Sequence, residues 1–304
     1  MSMRSLPAEW VTQRERGSAT LLHVMTFISM RCGRRVARCI LYGVVSYYFA
    51  FAPKARRHSR NYLRRALGRE PGARDRFRHL LYFASAIHDR VYLLHGRFDL
   101  FDIEIAGDEP VRARFLSGKG AILMGAHMGS FEVIHTIGKR QPGLQVAMAM
   151  YEDNARKISE MLAAINPAAK PQIIALGHID TMLKIHDCLE RGAFVGVLGD
   201  RSLRDEPGQV VKFLGSDASF PTGAMRVAAL LRQPVYFMAG LYCGGNRYRV
   251  VFEPVADFSS IPAGQRDAVV REAIVRYAAL LEAQCLADPY NWFNFSDFWH
   301  ASAA

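Results

Sequence analysis

The chain has 304 residues, of which 50% are hydrophobic and 22% are charged, so it can bury a large core and lacks the composition of a disordered protein. Its five cysteines are scattered and include no C-x-x-C pair, which argues against a disulfide framework or a zinc site and favours a reducing compartment, the cytosol. The formal net charge is +11.

The excess positive charge belongs to the N-terminal third of the chain. Residues 1–100 contain 19 Lys and Arg against 6 Asp and Glu, whereas residues 101–304 contain 20 against 22. The basic part also holds two uncharged apolar runs of about 15 residues, 17–30 and 39–53, which are shorter than the ~20 residues that cross a bilayer. Arginines flank both runs. This pattern predicts helices that insert into an anionic membrane surface, at the cytoplasmic face of the inner membrane.

Other interpretations of this N-terminal third are weaker or remain open. The apolar runs also fit a pair of buried core helices with solvated arginine ends. A secretory signal is disfavoured by Glu9 and Glu15, which lie in the region that such a signal keeps basic. Nucleic acid is not a predicted partner, because the arginines alternate with lipid-like runs and no binding motif accompanies them.

The sequence pattern changes near residue 101. Residues 72–96 have helical spacing, so the first 96 residues are predicted to be helical. Beyond them, short β-rich runs alternate with segments of helical period, which predicts an α/β fold with a mostly parallel mixed sheet flanked by helices. The predicted strands are "FDIEIA", "AILMGA", "LQVAMAMY", "PQIIAL", "AFVGVL" and "PVYFMAGLY", with "NRYRVVFEP" as an antiparallel neighbour of the last. We therefore divide the chain into a helical membrane-associating region, 1–100, and an α/β catalytic domain, 101–304.

The strand "AILMGA" is followed by residues that can carry chemistry. His127 comes first, then a Gly129-Ser130 turn, then Glu132 in the first turn of a helix predicted over 130–139. Positions five residues apart on one helix lie about 140° apart, so His127 must precede the helix for the two side chains to meet. A carboxylate that accepts from one imidazole nitrogen leaves the other free to take a proton. The segment therefore predicts a general base at the edge where parallel strands end.

The same residues allow less specific roles. A glutamate in a first helical turn is favourable through the helix dipole alone. Ser130 lacks the G-x-S-x-G setting of a nucleophile and is predicted to cap the helix. Backbone N–H groups at the start of the helix are candidates for holding an oxyanion. No second His or Cys stands at usual ligand spacing nearby, so no metal and no cofactor are expected.

"GAHMGSFEVI" resembles the H-x-x-x-x-D/E block of glycerolipid-type acyltransferases, and more specifically that of the late lipid A acyltransferases, the lauroyl and myristoyl transferases of Gram-negative bacteria. The resemblance continues in "RGAFVGVLGDRS", where that family has a strand ending in Asp and a polar residue. It continues again in "VVKFLGSDASFPTGAMRVAALLRQPV", where the family has a Phe-Gly, Ala and Pro-x-Gly block before a helix. These blocks follow the family order over more than 100 residues.

The resemblance implies transfer of an acyl group from an acyl thioester, on acyl carrier protein or CoA, to a hydroxyl of a lipid or glycolipid. It makes His127 the general base on the acceptor hydroxyl and Glu132 its orienting partner. The residues that it places in substrate binding are Gly129, Ser130, Asp200, Arg201, Phe220, Pro221 and Gly223. For Asp200 and Arg201, a structural salt bridge at a strand end is the alternative.

Two segments depart from the lipid A enzymes. Between the second and third strands those enzymes carry an arginine-bearing block, whereas residues 163–174 offer only Lys170. Their C-terminal tryptophan-arginine segment is replaced by the aromatic "WFNFSDFW" within 289–299, which is predicted to cover the core, with substrate contact as the alternative. Both differences argue against lipid A itself as acceptor and favour a divergent branch.

Three functions remain in view. The first is a membrane-bound O-acyltransferase. The second is a thioesterase or lipid hydrolase that uses water at the same His-Glu pair, and the third is a non-catalytic lipid-binding protein. The presence of both members of the pair favours the first.

Overall fold

The computed structural model describes residues 19–134, 144–166, 172–201 and 208–299. The helices of these ranges are α1 (Ala19–Phe51), α2 (Pro53–Leu67), α3 (Ala73–Leu94), α4 (Glu109–Leu116), α5 (Glu152–Ile165), α6 (Thr181–Glu190), α7 (Gly223–Leu230) and α8 (Arg266–Ala287). The strands are β1 (Asp102–Ala106), β2 (Ile122–Gly125), β3 (Val146–Tyr151), β4 (Gln172–Leu176), β5 (Phe194–Leu198), β6 (Gly208–Phe213), β7 (Ser216–Pro221), β8 (Pro234–Tyr242) and β9 (Arg247–Asp257).

Seven strands form one mixed sheet in the order β1-β9-β8-β2-β5-β3-β4. Five of them, β8, β2, β5, β3 and β4, are parallel, whereas β9 is antiparallel to β8 and carries β1 parallel to itself. All four residues of the central strand β2 are buried, as its uninterrupted apolar sequence predicts. The predicted fold class and the antiparallel neighbour of β8 are confirmed.

The sequence analysis missed a small second sheet. Strands β6 and β7 pair as an antiparallel hairpin, joined at Leu214 and Gly215, which have φ values of 50° and 78°. Positive φ at both positions of a two-residue loop is the geometry that matches the twist of a hairpin. The hairpin brings Phe220 into the core, where it is 1% exposed.

Helix α1 contains residues 19–30 of the first apolar run and residues 39–51 of the second. It is broken at Gly33, whose φ of 79° is not helical, so the runs lie on two helical halves. Many of its large apolar side chains face outward. Those with at least 40% exposure are Val24, Phe27, Met30, Val36, Tyr42, Tyr47 and Phe51. Membrane insertion of these side chains stays a prediction, and residues 1–18 lie outside the described part.

No helix in the described part of the chain is by itself long and apolar enough to cross a membrane. The pair formed by His23–Phe51 and Pro53–Leu67, bent by 94° at its break, meets the length and composition criteria together.

The N-terminal helices share buried contacts with the sheet. Tyr62 and Leu63 of α2 belong to the same core as Met124 of β2. On α1, Arg34 makes a two-pronged ion pair with Asp89 of α3, with Nε–Oδ1 and Nη2–Oδ2 distances of 2.7 and 2.8 Å. These helices therefore lie against the α/β layer, and the division of the chain at residue 100 stays a prediction.

Candidate active site

The turn after β2 carries His127, and close backbone contacts fix its path. Gly129 has a φ of 63°, which favours glycine, and a Cβ at this position would lie 1.9 Å from the carbonyl oxygen of Gly240. The Gly129 N–H donates to Asn291 O at 2.9 Å, and the Ser130 N–H donates to Gly240 O at 2.7 Å. The turn therefore requires glycine at position 129 and lies directly against β8.

His127 contacts Asp200, which follows the end of the neighbouring strand β5. His127 Nδ1 lies 2.8 Å from Asp200 Oδ1, and the His127 backbone N–H donates to Oδ2 at 3.0 Å. Because an ionised carboxylate only accepts hydrogen bonds, Nδ1 carries the ring proton and Nε2 is left as the acceptor. The Asp200 side chain has no exposed surface, whereas that of His127 is 35% exposed. The imidazole is accessible while its carboxylate partner is buried.

Asp200 remains ionised despite its burial. Burial raises the pKa of Asp200, but the charge and hydrogen bond of His127, the charge of Arg201 and a hydrogen bond from Trp292 outweigh it and hold this pKa well below its usual range. The Trp292 Nε1–H donates to Asp200 Oδ2 at 2.9 Å. A charged carboxylate in this position fixes the imidazole tautomer and stabilises the imidazolium.

Glu132 does not hold the position expected from the sequence. Its Oε1 lies 2.6 Å from Arg90 Nε on α3, and its Oε2 accepts from Ser130 Oγ at 3.0 Å. The partner of His127 Nδ1 is Asp200 instead. The physical reason is the sharp turn at Gly129, after which the helical residues 131–134 direct Glu132 towards α3. The structure thus brings His127 and Asp200 together and gives Glu132 a different charged partner.

Two backbone N–H groups at the start of the helix are already used and cannot hold an oxyanion. The N–H groups of Gly129 and Ser130 both donate to carbonyl oxygens of the protein. Ser130 is 2% exposed, and its hydroxyl donates to Glu132. Any oxyanion donors must therefore come from other groups. The predicted helical residues 135–139 lie outside the described part of the chain.

A C-terminal segment of three residues, Asn291–Phe293, crosses the site, and we call it the C-terminal strap. Trp292 forms an isolated antiparallel β-bridge with Met128, and the Phe293 N–H donates to His127 O at 2.7 Å. Asn291 and Trp292 have no exposed surface. The aromatic tail thus covers the core, as predicted, and it also fastens the backbone on which His127 sits.

Comparison with known proteins agrees with the resemblance noted in the sequence. Residues 94–300 match the family of bacterial lipid A biosynthesis acyltransferases. The chain belongs to this family. It is therefore an acyltransferase, and its family membership indicates transfer of an acyl group to a lipid acceptor. A search of curated proteins found no match to the chain.

The remaining residues that the family resemblance places in the site occupy varied environments. Arg201 donates from Nη2 to Phe293 O at 3.0 Å, so it braces the C-terminal strap. Phe220 packs edge-on against Tyr277, with ring centroids 6.0 Å apart, and Tyr277 donates its hydroxyl hydrogen to Gly125 O at 2.7 Å. Phe220 therefore supports the end of β2 from within the core.

Pro221 ends β7 and is buried, and Gly223 begins α7. The roles of Phe220, Pro221 and Gly223 in substrate binding stay predictions. Lys170 lies outside the described residues. Within the described ranges, no group of three or more His, Cys, Asp or Glu residues could hold a metal ion.

The sequence analysis missed three residues that hold this candidate site together. Arg90 is one arginine among many in the basic region, Asn291 is an ordinary polar residue, and Trp292 is one of six aromatic residues in the tail. Their contacts join segments far apart in the sequence. The many aromatic residues of the tail predicted its burial, but they did not predict that one of them donates a hydrogen bond to Asp200.

Proposed function

We propose that this acyltransferase moves a fatty acyl group from an acyl thioester, on acyl carrier protein or CoA, to a hydroxyl of a lipid or glycolipid, with His127 as general base. The observation that supports this most strongly is the pair formed by an accessible His127 and a buried, ionised Asp200. Asp200 takes the orienting role that the sequence analysis gave to Glu132. Glu132 instead positions the turn through Ser130 and Arg90.

The proposed reaction needs one base and no covalent enzyme intermediate. His127 Nε2 takes the proton of the acceptor hydroxyl as its oxygen bonds to the thioester carbonyl carbon. The tetrahedral intermediate then collapses, the C–S bond breaks, and the imidazolium returns the proton to the leaving thiolate. A positioned general base contributes about 10²- to 10⁴-fold to such a step.

Asp200 supports both halves of this cycle. Its bond to Nδ1 leaves Nε2 unprotonated before the attack, and its charge stabilises the imidazolium afterwards. Because Asp200 is buried away from water, the local dielectric constant is low and its charge acts strongly on His127.

The proposed place of action is the cytoplasmic face of the inner membrane, on an anionic surface. The exposed apolar side chains of α1 and the excess of arginine in residues 1–100 support it. The proposed acceptor is neutral or singly charged, because residues 163–174 contain Lys170 and no arginine for a phosphate fork.

The test compares purified wild-type protein with His127→Ala and Asp200→Asn in detergent. Each protein receives an acyl donor, either acyl-acyl carrier protein or acyl-CoA, and an acceptor, either a neutral glycolipid or a bisphosphorylated disaccharide lipid. Thiol release and acylated lipid are measured together, the latter by mass spectrometry. His186→Ala, on the exposed face of α6, is the matched control.

We expect acylated lipid from the wild type and the control, a preference for the neutral acceptor, and a loss of at least ~10²-fold in both site variants. Wild-type rates in His127→Ala would refute the proposed base. Thiol release without acylated lipid would favour the hydrolase, and efficient acylation of the bisphosphorylated lipid would refute the proposed acceptor class.

A further inference from the structure

Asp200 is held by a residue from the far end of the chain. Its Oδ1 faces His127 Nδ1, while its Oδ2 accepts from two donors, the His127 backbone N–H at 3.0 Å and Trp292 Nε1–H at 2.9 Å. We propose that Trp292 is a positioning residue for the acyltransferase reaction, whose indole N–H fixes the Asp200 carboxylate in the orientation that aligns His127. This inference rests on the proposed role of His127 as base.

Packing alone does not require an indole at position 292. Trp292 makes edge-on ring contacts with Tyr62, Phe213 and Phe298, at centroid distances of 5.0, 5.3 and 4.9 Å. A phenyl ring can make contacts of this kind. The indole N–H is the feature that phenylalanine lacks, and it is directed at Asp200. The two roles of Trp292, filling the core and donating to a buried charge, can therefore be separated by experiment.

The backbone of Trp292 is held in turn by the N-terminal helices. His79 Nε2 lies 2.9 Å from Trp292 O, and Ser59 Oγ lies 2.9 Å from His79 Nδ1. Burial lowers the pKa of His79 to about 4, so the ring is neutral near pH 7. Nε2 then carries the proton and donates to the carbonyl, while Nδ1 accepts from Ser59. A chain of hydrogen bonds thus runs from α2 and α3 to Trp292, Asp200 and His127.

The charges around Asp200 determine the direction of the pH effect. Among the residues that the structure describes, the ionisable groups that face it are His127 on the turn after β2, Arg201 beside it, and Tyr277 and Cys285 on α8. Burial raises the pKa of Tyr277 well above its usual value and also raises the pKa of Cys285, so both stay neutral in the working range. Of these groups, His127 is the one that shares its ring proton with Asp200 in a hydrogen bond.

Removal of the indole N–H leaves the buried carboxylate with one donor fewer. The carboxylate is then a stronger acceptor for the Nδ1–H of His127 and attracts the charged imidazolium more than it does in the wild type, which disfavours the free base. The carboxylate is also less constrained, which lowers the fraction of time that His127 is aligned. We expect a lower kcat together with an acid limb of kcat/KM that moves to higher pH.

The experiment uses the full chain in detergent with Trp292→Phe and, as matched control, Trp299→Phe. Trp299 lies in the same aromatic cluster, 6.1 Å from Trp292 between ring centroids, but its Nε1–H donates to Phe213 O at 3.3 Å. We measure pH profiles of kcat and kcat/KM, KM for the thioester, and thermal unfolding.

Trp292→Phe is expected to lose about tenfold in kcat with little change in KM, and its acid limb is expected to rise by about half to one pH unit. Trp299→Phe is expected to keep the wild-type profile. A wild-type kcat and acid limb in Trp292→Phe would overturn the inference, and so would an equal shift in the control.

A second variant covers the case in which Trp292→Phe does not fold. Benzothienylalanine at position 292 keeps the bicyclic shape and replaces the N–H by sulfur, so its core packing matches the wild type. The same loss and shift are expected, and a wild-type profile would overturn the inference. His127→Ala is measured alongside. If it is fully active, the proposed base is wrong, whereas an inactive His127→Ala with an unaffected position 292 overturns only the role of Trp292.

Discussion

Arg90 Nε lies 2.6 Å from Glu132 Oε1, so a charged contact joins the N-terminal helices to the first helical turn after His127. Both side chains are largely buried, at 16% and 13% exposure. The contact is an ion pair and not a well-aligned hydrogen bond, since Arg90 Nε does not meet hydrogen-bond geometry. Removing one partner of such a buried ion pair strongly destabilises the protein, because the other charge is left buried without its partner.

We expect Arg90→Met and Glu132→Gln each to lower the free energy of unfolding and the activity, and the double variant to lose less than the sum. The reason is that each single change leaves an opposing charge in a buried place, whereas the double change removes both. The expected coupling is about 0.5–3 kcal/mol in a double-mutant cycle. The exposed pair Arg97–Asp99 is the control, with a coupling expected below about 1 kcal/mol. Strict additivity at Arg90 and Glu132 would contradict the prediction.

Asp200→Asn is expected to reduce kcat by about 10²- to 10⁴-fold, more than Glu132→Gln does. An asparagine amide that donates to Nδ1 forces the proton onto Nε2, where it blocks the uptake of the acceptor proton. Glu132 lacks this direct control over the His127 tautomer. The comparison needs kcat for both variants together with thermal unfolding, and a larger loss in Glu132→Gln would return the orienting role to Glu132.

Gly129→Ala is expected to unfold or inactivate the protein, with a loss of more than about 4 kcal/mol. The added Cβ would lie 1.9 Å from the carbonyl oxygen of Gly240, in backbone that cannot move away. Gly118→Ala separates this clash from conformational strain. Gly118 also has positive φ, 71°, but a Cβ there meets nothing within 4 Å, so the cost should be about 1–2 kcal/mol. Denaturant unfolding measures both, and equal losses would show that the close approach to β8 is unimportant.

Stability should fall as the pH falls from about 6.5 to about 4, in part because of His79. Its pKa is about 4 in the folded protein and near 6.5 when the chain is unfolded, so the unfolded state binds the extra proton within this window. Folding stability therefore rises with pH there, by at most about 3 kcal/mol from this group. His79→Gln retains a donor and an acceptor without titrating. Its unfolding free energy should vary less across the window, and an unchanged slope would contradict the assignment.

Membrane attachment should resist salt and yield to detergent. In ~1 M salt the screening length is about 3 Å, so charge attraction is lost while apolar insertion persists. Point variants are better probes of attachment than deletion of α1, because the deletion would leave Asp89 buried without Arg34 and destabilise the fold. Phe27→Glu with Phe51→Glu should release the protein from vesicles of anionic lipid, whereas Leu230→Glu, at an exposed site on α7, should not. Release of the wild type by salt alone would show that the apolar runs of α1 do not insert.

The fold was predictable from the sequence because most of its strands can be recognised from their local sequence pattern. Runs such as "AILMGA" and "AFVGVL" are apolar at every position, and the segments between them have helical period. The β6–β7 hairpin was missed because its strands, "GQVVKF" and "SDASFP", neither are continuously apolar nor alternate regularly, and its turn, at Leu214 and Gly215, lacks the usual Asn-Gly signal.

The site was predictable only in part. His127 could be found because it follows a buried strand, but its partner could not. Spacing drew attention to Glu132, five residues away, whereas Asp200 is 73 residues away and meets His127 because β2 and β5 are neighbours in the sheet. Trp292 is more distant still. Contacts of this kind follow from strand order, which a single sequence does not encode locally.

The C-terminal strap is also the last part of the site to be made. A ribosome adds about 5–20 residues per second, so Trp292 follows Gly129 by roughly ten to thirty seconds. During that interval a nascent chain already carries His127 and gains Asp200, but it lacks the Trp292 and Phe293 N–H groups that bond to them. Helices α1 to α3 are synthesised long before the strap, so they can form before the strap is available to pack against them. Translation that stops shortly before residue 291 supplies every described strand of the sheet but not the indole N–H that Asp200 accepts.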